Sequence, residues 1–188
     1  MADRGSAEQV AQVVLRGLLA GRTVEIDGLG IFHPDAARFF RFEERRLPQV
    51  FIAYVEEDRR QAERLYQTLE EAGFAPWMDT RKLLPGQNWP RAIEAAIETS
   101  AFFLACFSEQ SVVKKGGFQA EIRYALDCAR QLPLDQIFVI PVRLTACRVP
   151  RAIQREYQWI DLHPDWPRGA GRLLGTLRKE LARRAEVR

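Results

Sequence analysis

The sequence predicts a doubly wound α/β domain on a parallel five-stranded sheet, with a small α+β appendage in front of it. Three observations carry this. Five short apolar runs, "VFIAY", "FAPWM", "AFFLACF", "IFVIPV" and "YQWIDL", recur between amphipathic stretches, and strands alternating with helices imply a parallel sheet. Two of the runs, "AFFLACF" and "IFVIPV", are continuously apolar, as strands buried on both faces must be. The chain before residue 49 follows a different rhythm, a helical period that gives way to alternation.

Residues 5–47 form the appendage. Val10, Val13, Val14 and Leu18 recur at helical spacing up to Gly21. Val24 and Ile26 then alternate with polar neighbours, "DGLG" supplies turn residues, Ile31 and Phe32 resume, and "RFFRF" reads as another short strand. The "GLG" has no helix with a third glycine after it, so a hairpin turn explains it better than a dinucleotide loop. About 45 residues make a thin core, so the piece is expected to need a partner, its twin in a dimer or the next domain.

Residues 49–186 form the main domain. Asp58 begins a helix with Ala62, Leu65, Leu69 and Ala72 on one face and Gly73 as its stop. Asn88 caps a helix with Trp89 and Pro90 in its first turn and Ile93 and Ile97 facing inward. A final helix, "GRLLGTLRKELARR", carries Leu173, Leu174, Leu177 and Leu181 on one face. Ligands of such sheets sit at the carboxyl ends of the strands. There the loop "SEQSVVKKGG" delivers the chain to a helix whose buried face is Phe118, Ile122, Ala125 and Ala129. Glu121 falls about 60° from Phe118 on that helix, bordering the core, in an early turn that favours an anion.

Composition excludes several classes. Hydrophobic residues make up 47% of the 188, enough for a core, and no apolar run approaches the roughly 18 residues of a membrane span. Met1 leads into Asp3, Arg4 and Glu8 rather than an apolar signal sequence, so a soluble, cytoplasmic protein is expected. Three cysteines without a CxxC pattern and two distant histidines suggest neither disulfides nor a metal. In residues 1–48 seven arginines balance seven acids, which argues against nucleic-acid binding. The net charge of +3 comes instead from the last helix, where a solvated face is the common meaning of such charge.

In their order along the chain, "VFIAYVEED", "GFAPWMDTRKLLPGQNWPRAI", "FFLACFSEQSV", "FQAEIRYAL" and "IFVIPVRL" resemble the strands, BB loop and helices of bacterial TIR domains, which have a flavodoxin-like fold. The resemblance implies an NAD+ glycohydrolase that takes NAD+ as substrate, without a cofactor, and Glu121 falls on the catalytic glutamate. Tyr54, Arg81, Trp89, Ser108 and Phe118 are the candidate substrate contacts. Tyr54 and Ser108 are equally well read as a packed ring and a turn residue, Arg81 as a solvated loop cation, and Trp89 as a helix-start anchor. Gly117 stands four residues before Glu121, where NAD-cleaving members commonly carry an aromatic, and Phe118 stands three before. Asp79, Leu83, Leu84, Pro85 and Gly86 fall on the BB loop, through which such domains assemble and complete the NAD+ pocket. Cleavage of the nicotinamide–ribose bond would give ADP-ribose or a cyclic ADP-ribose, and a role in bacterial antiphage defence is implied. The alternative is a TIR scaffold without catalysis. "GRTVEIDGLGIF" is similar to a hairpin of the HU/IHF family and implies dimerisation rather than DNA contact.

Overall fold

The computed structural model describes residues 4–26, 30–37, 39–44, 47–79, 86 and 88–186. The chain divides into two compact units, Met1–Leu47 and Pro48–Arg188.

The first unit opens with α1 (Arg4–Leu19), followed by β1 (Val24–Ile26), β2 (Gly30–Asp35) and β3 (Phe39–Glu44). The strands form an antiparallel sheet in the order β1-β2-β3. Val14 and Leu18 of α1 are buried as the helical spacing predicts, but Val10 and Val13 stay exposed, at 38% and 59%. A sheet this small covers only one narrow stripe of a helix. At the β2–β3 turn Asp35 Oδ1 accepts from the Ala37 amide at 2.8 Å, a local bond that lets the chain reverse.

The second unit begins with β4 (Gln49–Ala53), a 3₁₀ turn (Glu56–Asp58) and α2 (Arg59–Glu71). Then come β5 (Ala75–Trp77), α3 (Trp89–Thr99), β6 (Phe102–Phe107) and α4 (Gly117–Ala129). The unit closes with β7 (Val139–Arg143), α5 (Arg151–Glu156), β8 (Ile160–Asp161) and α6 (Trp166–Glu186). All strands run parallel in the order β5-β4-β6-β7-β8, the doubly wound sheet the apolar runs predict. Asn88 caps α3 as expected, its side chain accepting from the Arg91 amide at 3.2 Å. The short α5 has no counterpart in the apolar pattern, and "YQWIDL" yields only a two-residue strand.

Alternation within each strand builds two cores. Val50, Ile52, Phe102, Leu104, Ile140 and Val142 face α2 and α6, which contribute Leu65, Leu69, Leu173 and Leu177. Phe51, Ala53, Phe103, Ala105 and Phe107 face the other way, toward Ile97 of α3 and Phe118 and Ile122 of α4. Registered neighbours Trp77, Phe51 and Phe103 stack across three strands, with ring centroids 4.6 and 5.2 Å apart. At the start of α6 a Cβ on Gly169 would stand 2.1 Å from the Asp161 carbonyl oxygen, so only glycine lets the helix lie this close to β8.

The basic face of α6 departs from a purely solvated one. Glu180, 3% exposed, accepts from Arg183, from Arg184 Nε at 2.9 Å and from the Ile137 amide at 3.2 Å. Arg184 donates to the Ala101 carbonyl at 3.1 Å and lies 4.7 Å over the Phe102 ring. The cluster pins α6 to the amino ends of β6 and β7. These charge-assisted bonds, the one from Arg183 foremost, hold the Glu180 carboxyl down to about 2.

Candidate active site

At the opposite, carboxyl end of the sheet, Tyr54 follows β4, Asp79 follows β5, Ser108 follows β6, and α4 begins. Gly116 precedes α4 with φ of 113°, a conformation that favours glycine and turns the loop into the helix. Glu121 is the fifth residue of α4.

A cavity of about 560 Å³ opens between α3 and α4. Trp89 and Ile93 line it from one helix, Gly117, Glu121 and Tyr124 from the other. Its wall is mostly apolar, and its other ionisable groups are Glu94, Arg123 and Asp127. Burial, and secondarily the negative charge of Asp79, push the Glu121 carboxyl up to about 7. Asp79 in turn accepts a hydrogen bond from the Tyr54 hydroxyl at 3.1 Å. The expected crevice residues Tyr54, Trp89 and Glu121 are therefore linked, with Asp79 of the expected BB loop, by contact, charge or a shared wall. Tyr124 donates to Glu98, an acceptor that pushes the phenol up to about 12.

Two proposed contacts lie elsewhere. Ser108 is fully buried, not on the cavity wall: its hydroxyl donates to Asp58 Oδ2 at 2.5 Å and accepts from the Ser111 amide at 3.1 Å. It fastens the turn after β6 to the turn after β4. Burial raises the Asp58 carboxyl, and the Ser108 bond opposes that shift. Phe118, 6% exposed, meets the Phe107 ring edge-on at 5.9 Å, because its position on α4 faces the sheet. It is core rather than a wall for a ligand. A Cβ on Gly117 would have Glu121 Oε1, 4.0 Å away, as its one near neighbour, so a side chain there would stand beside the carboxylate. Trp89, 64% exposed, and Tyr124 supply the cavity's aromatic surface instead. Arg81, Leu83, Leu84 and Pro85 lie outside the described residues; Gly86 is exposed with φ of 84°.

Sequence reasoning missed Ile93 and Tyr124 as cavity walls. The signal was available: Ile93 is four residues after Trp89 and Tyr124 three after Glu121, the spacings that share a helix face. It also missed the Asp58–Ser108 lock, which no local pattern encodes. Among the described residues no cluster of three or more His, Cys, Asp or Glu is placed to hold a metal, and no helix is long and apolar enough to cross a membrane.

The fold has solved relatives. The TIR domain of the Toll-related receptor TRR-2 from Hydra magnipapillata superposes with a TM-score of 0.54 at 24% identity, over 66% of this chain and 96% of that one. A metazoan TIR-STING receptor from C. gigas, solved with 2′,3′-cGAMP, gives 0.58 at 23% identity over 68% of this chain and 38% of that one. In sequence, the uncharacterized protein y4cD of Sinorhizobium fredii is 27% identical over 117 residues, 62% of this chain. The match spans only 18% of that protein's length. With residues 50–174 matching the TIR domain model, on a parallel sheet of the order described, the chain belongs to the TIR domain family.

Proposed function

We propose that the chain is a glycohydrolase that cuts the nicotinamide–ribose bond of NAD+, with Glu121 as its catalytic carboxylate. The observation that carries this reading is the carboxyl of Glu121, held at about 7 on the wall of an apolar cavity that Trp89 shares. The chemistry asks little else of the protein. When the bond between C1′ and the ring nitrogen breaks, nicotinamide leaves as a neutral molecule with the electron pair, needing no proton. Positive charge develops on the ribosyl carbon, and an anion in a water-poor site stabilises it. Water then adds to C1′ and loses a proton, for which a carboxylate with a pKa near 7 is a better acceptor than an ordinary one. Capture of C1′ by an atom of the same molecule would give a cyclic ADP-ribose instead.

Trp89 offers a face on which the nicotinamide ring can stack, a role the buried Phe118 is not placed to fill. Glu94 and Asp127 on the cavity wall also suit a substrate whose reacting ring is a cation. The open side of the cavity, with Trp89 on it, fits a pocket completed by a second TIR domain, so self-assembly would switch the enzyme on. A cytoplasmic effector or signal generator in bacterial antiphage defence is the setting this activity suits.

A second reading has its own observation. A tryptophan as exposed as Trp89 is also what a TIR–TIR interface buries, and a scaffold without catalysis would use it that way. One experiment separates the two. Concentrated protein is incubated with NAD+ and free nicotinamide is followed, with Glu121→Ala in parallel. The glycohydrolase predicts release that the substitution abolishes. Release that survives Glu121→Ala overturns the mechanism, and none under any assembling condition favours the scaffold.

A further inference from the structure

Strand β3 is an edge, paired with β2 on one side and, among the described residues, with no strand on the other. It is also the longer of the two edges in its sheet, since β1 has three residues. Pro34 pairs with Phe40 in the β2–β3 register, and proline has no amide hydrogen to exchange. That pair is therefore the non-hydrogen-bonded kind, and by alternation so is the pair Phe32–Phe42. It follows that the amides and carbonyls of Phe40 and Phe42 point out from the free edge. Their rings lie against Phe32, at centroid distances of 5.6 and 4.8 Å, yet remain 39% and 42% exposed. Among the described residues of this unit, Val14 and Leu18 are the buried apolar side chains, too few to make its core.

We propose that β3 pairs edge to edge with β3 of a second copy of this chain, antiparallel and centred on Phe42, to make one continuous six-stranded sheet. Charge chooses the occupant and the register. With Phe42 opposite its own copy, Arg41 of each chain faces Glu43 of the other, and the two pairs are related by the dimer axis. Centring on Arg41 or on Glu43 instead sets two arginines or two glutamates face to face. The chosen register also brings Phe40 and Phe42 of both chains onto one surface, while Arg41 and Glu43 occupy the other. There His33 already approaches Glu43 at 3.1 Å within the chain. A different partner strand would have to supply the complementary charge pattern, whereas a second copy has it by symmetry. The inference is independent of what happens at Glu121.

The test is a charge swap in the full chain, read by sedimentation over about a hundredfold range of concentration. Arg41→Glu and Glu43→Arg each replace two attractive pairs by two repulsive ones and are expected to weaken the dimer about tenfold. Because Glu43→Arg also removes the His33 contact, thermal melts accompany every variant. The double variant Arg41→Glu/Glu43→Arg restores the pairs in reverse and is expected to return the dissociation constant to within about threefold of the original. A chain that stays monomeric, one whose self-association ignores the single reversals, or a double variant as weak as the singles overturns the proposal. An association due only to the TIR domains gives the second of these results.

Discussion

Replacing Glu121 by glutamine should make the protein more stable, with a gain that opens between about pH 4.5 and 7 and is kept above it. The carboxyl titrates near 7 in the folded chain against an ordinary 4.5, chiefly because it is buried. The sign follows from proton counts. Below about 4.5 the group is protonated in both folded and unfolded chains and contributes no pH dependence. As pH rises, the unfolded chain releases its proton first, so stability falls between about 4.5 and 7 and then levels off. At about 1.4 kcal/mol per pH unit, the gap corresponds to at most ~3.5 kcal/mol, and solvent reaching a half-buried side chain reduces this to roughly 1–3 kcal/mol. Glutamine keeps the shape and removes the charge. Urea melts of wild type and Glu121→Gln should therefore nearly coincide at about pH 4.5 and differ by roughly 1–3 kcal/mol at about pH 8, with the variant more stable. In thermal melts that is a gain of roughly 2–12 °C for a chain of this size. A gain that is the same at both pH values, or absent at the higher one, would refute the placement of an isolated, desolvated carboxyl on that wall.

Glu180→Ala should act in the opposite sense, costing about 2–4 kcal/mol at neutral pH because it removes the buried acceptor that Arg183, Arg184 and the Ile137 amide share. In wild type that contribution is present above about 4.5 and lost as pH falls toward 2, so an acid titration of the urea midpoint should show it and the variant should not. Phe118→Ala should cost about 3–5 kcal/mol in denaturant melts, yet leave nicotinamide release per folded molecule largely intact; a selective loss of activity would return Phe118 to the site. Gly169→Ala should lower the thermal midpoint by an amount equivalent to about 1–3 kcal/mol, since its new methyl group meets backbone on β8. Asn88→Ala, by removing the cap on α3, should cost about 1 kcal/mol in the same melts.

What the sequence disclosed and what it hid follow from the range of the forces involved. The β6 and β7 runs are legible because a strand covered on both faces has no room for a polar residue, and each reads as an unbroken apolar string. Phe118, Ile122 and Ala125 are legible because α4 packs on the sheet with one face, so period alone sorts them. The same period puts Glu121 beside that face. Period cannot say that a neighbouring helix, α3, leaves a cavity there. Val10 and Val13 mislead for the converse reason, since a helical stripe announces an apolar face without announcing what covers it. Ser108 misleads because its partner, Asp58, is fifty residues away and ends in a different turn. Contacts of that kind are set by which strands become neighbours, and no local pattern carries them.

Glu121 and Glu180 make the functional argument by contrast. Both are helical glutamates beside the sheet, yet one is held up to about 7 and the other down to about 2. At the amino end of β6 and β7, Glu180 receives two guanidinium groups and a backbone amide, and its charge fastens α6 in place. At the carboxyl end, Glu121 has an apolar wall and the repulsion of Asp79. A fold assembled for stability alone would choose glutamine there, or turn the carboxylate outward to water. Under the proposed function, a charge that the fold bears without return, at the end of the sheet where ligands bind, has its reason in what enters the cavity. The proposed substrate supplies one. A cationic nicotinamide ring beside Glu121 would lower its pKa, and as the bond breaks that single positive charge passes from the ring to the ribose, so the carboxylate would keep a cation beside it while the reaction needs one. The stability gained by Glu121→Gln and the nicotinamide release it loses would then be two readings of one buried charge.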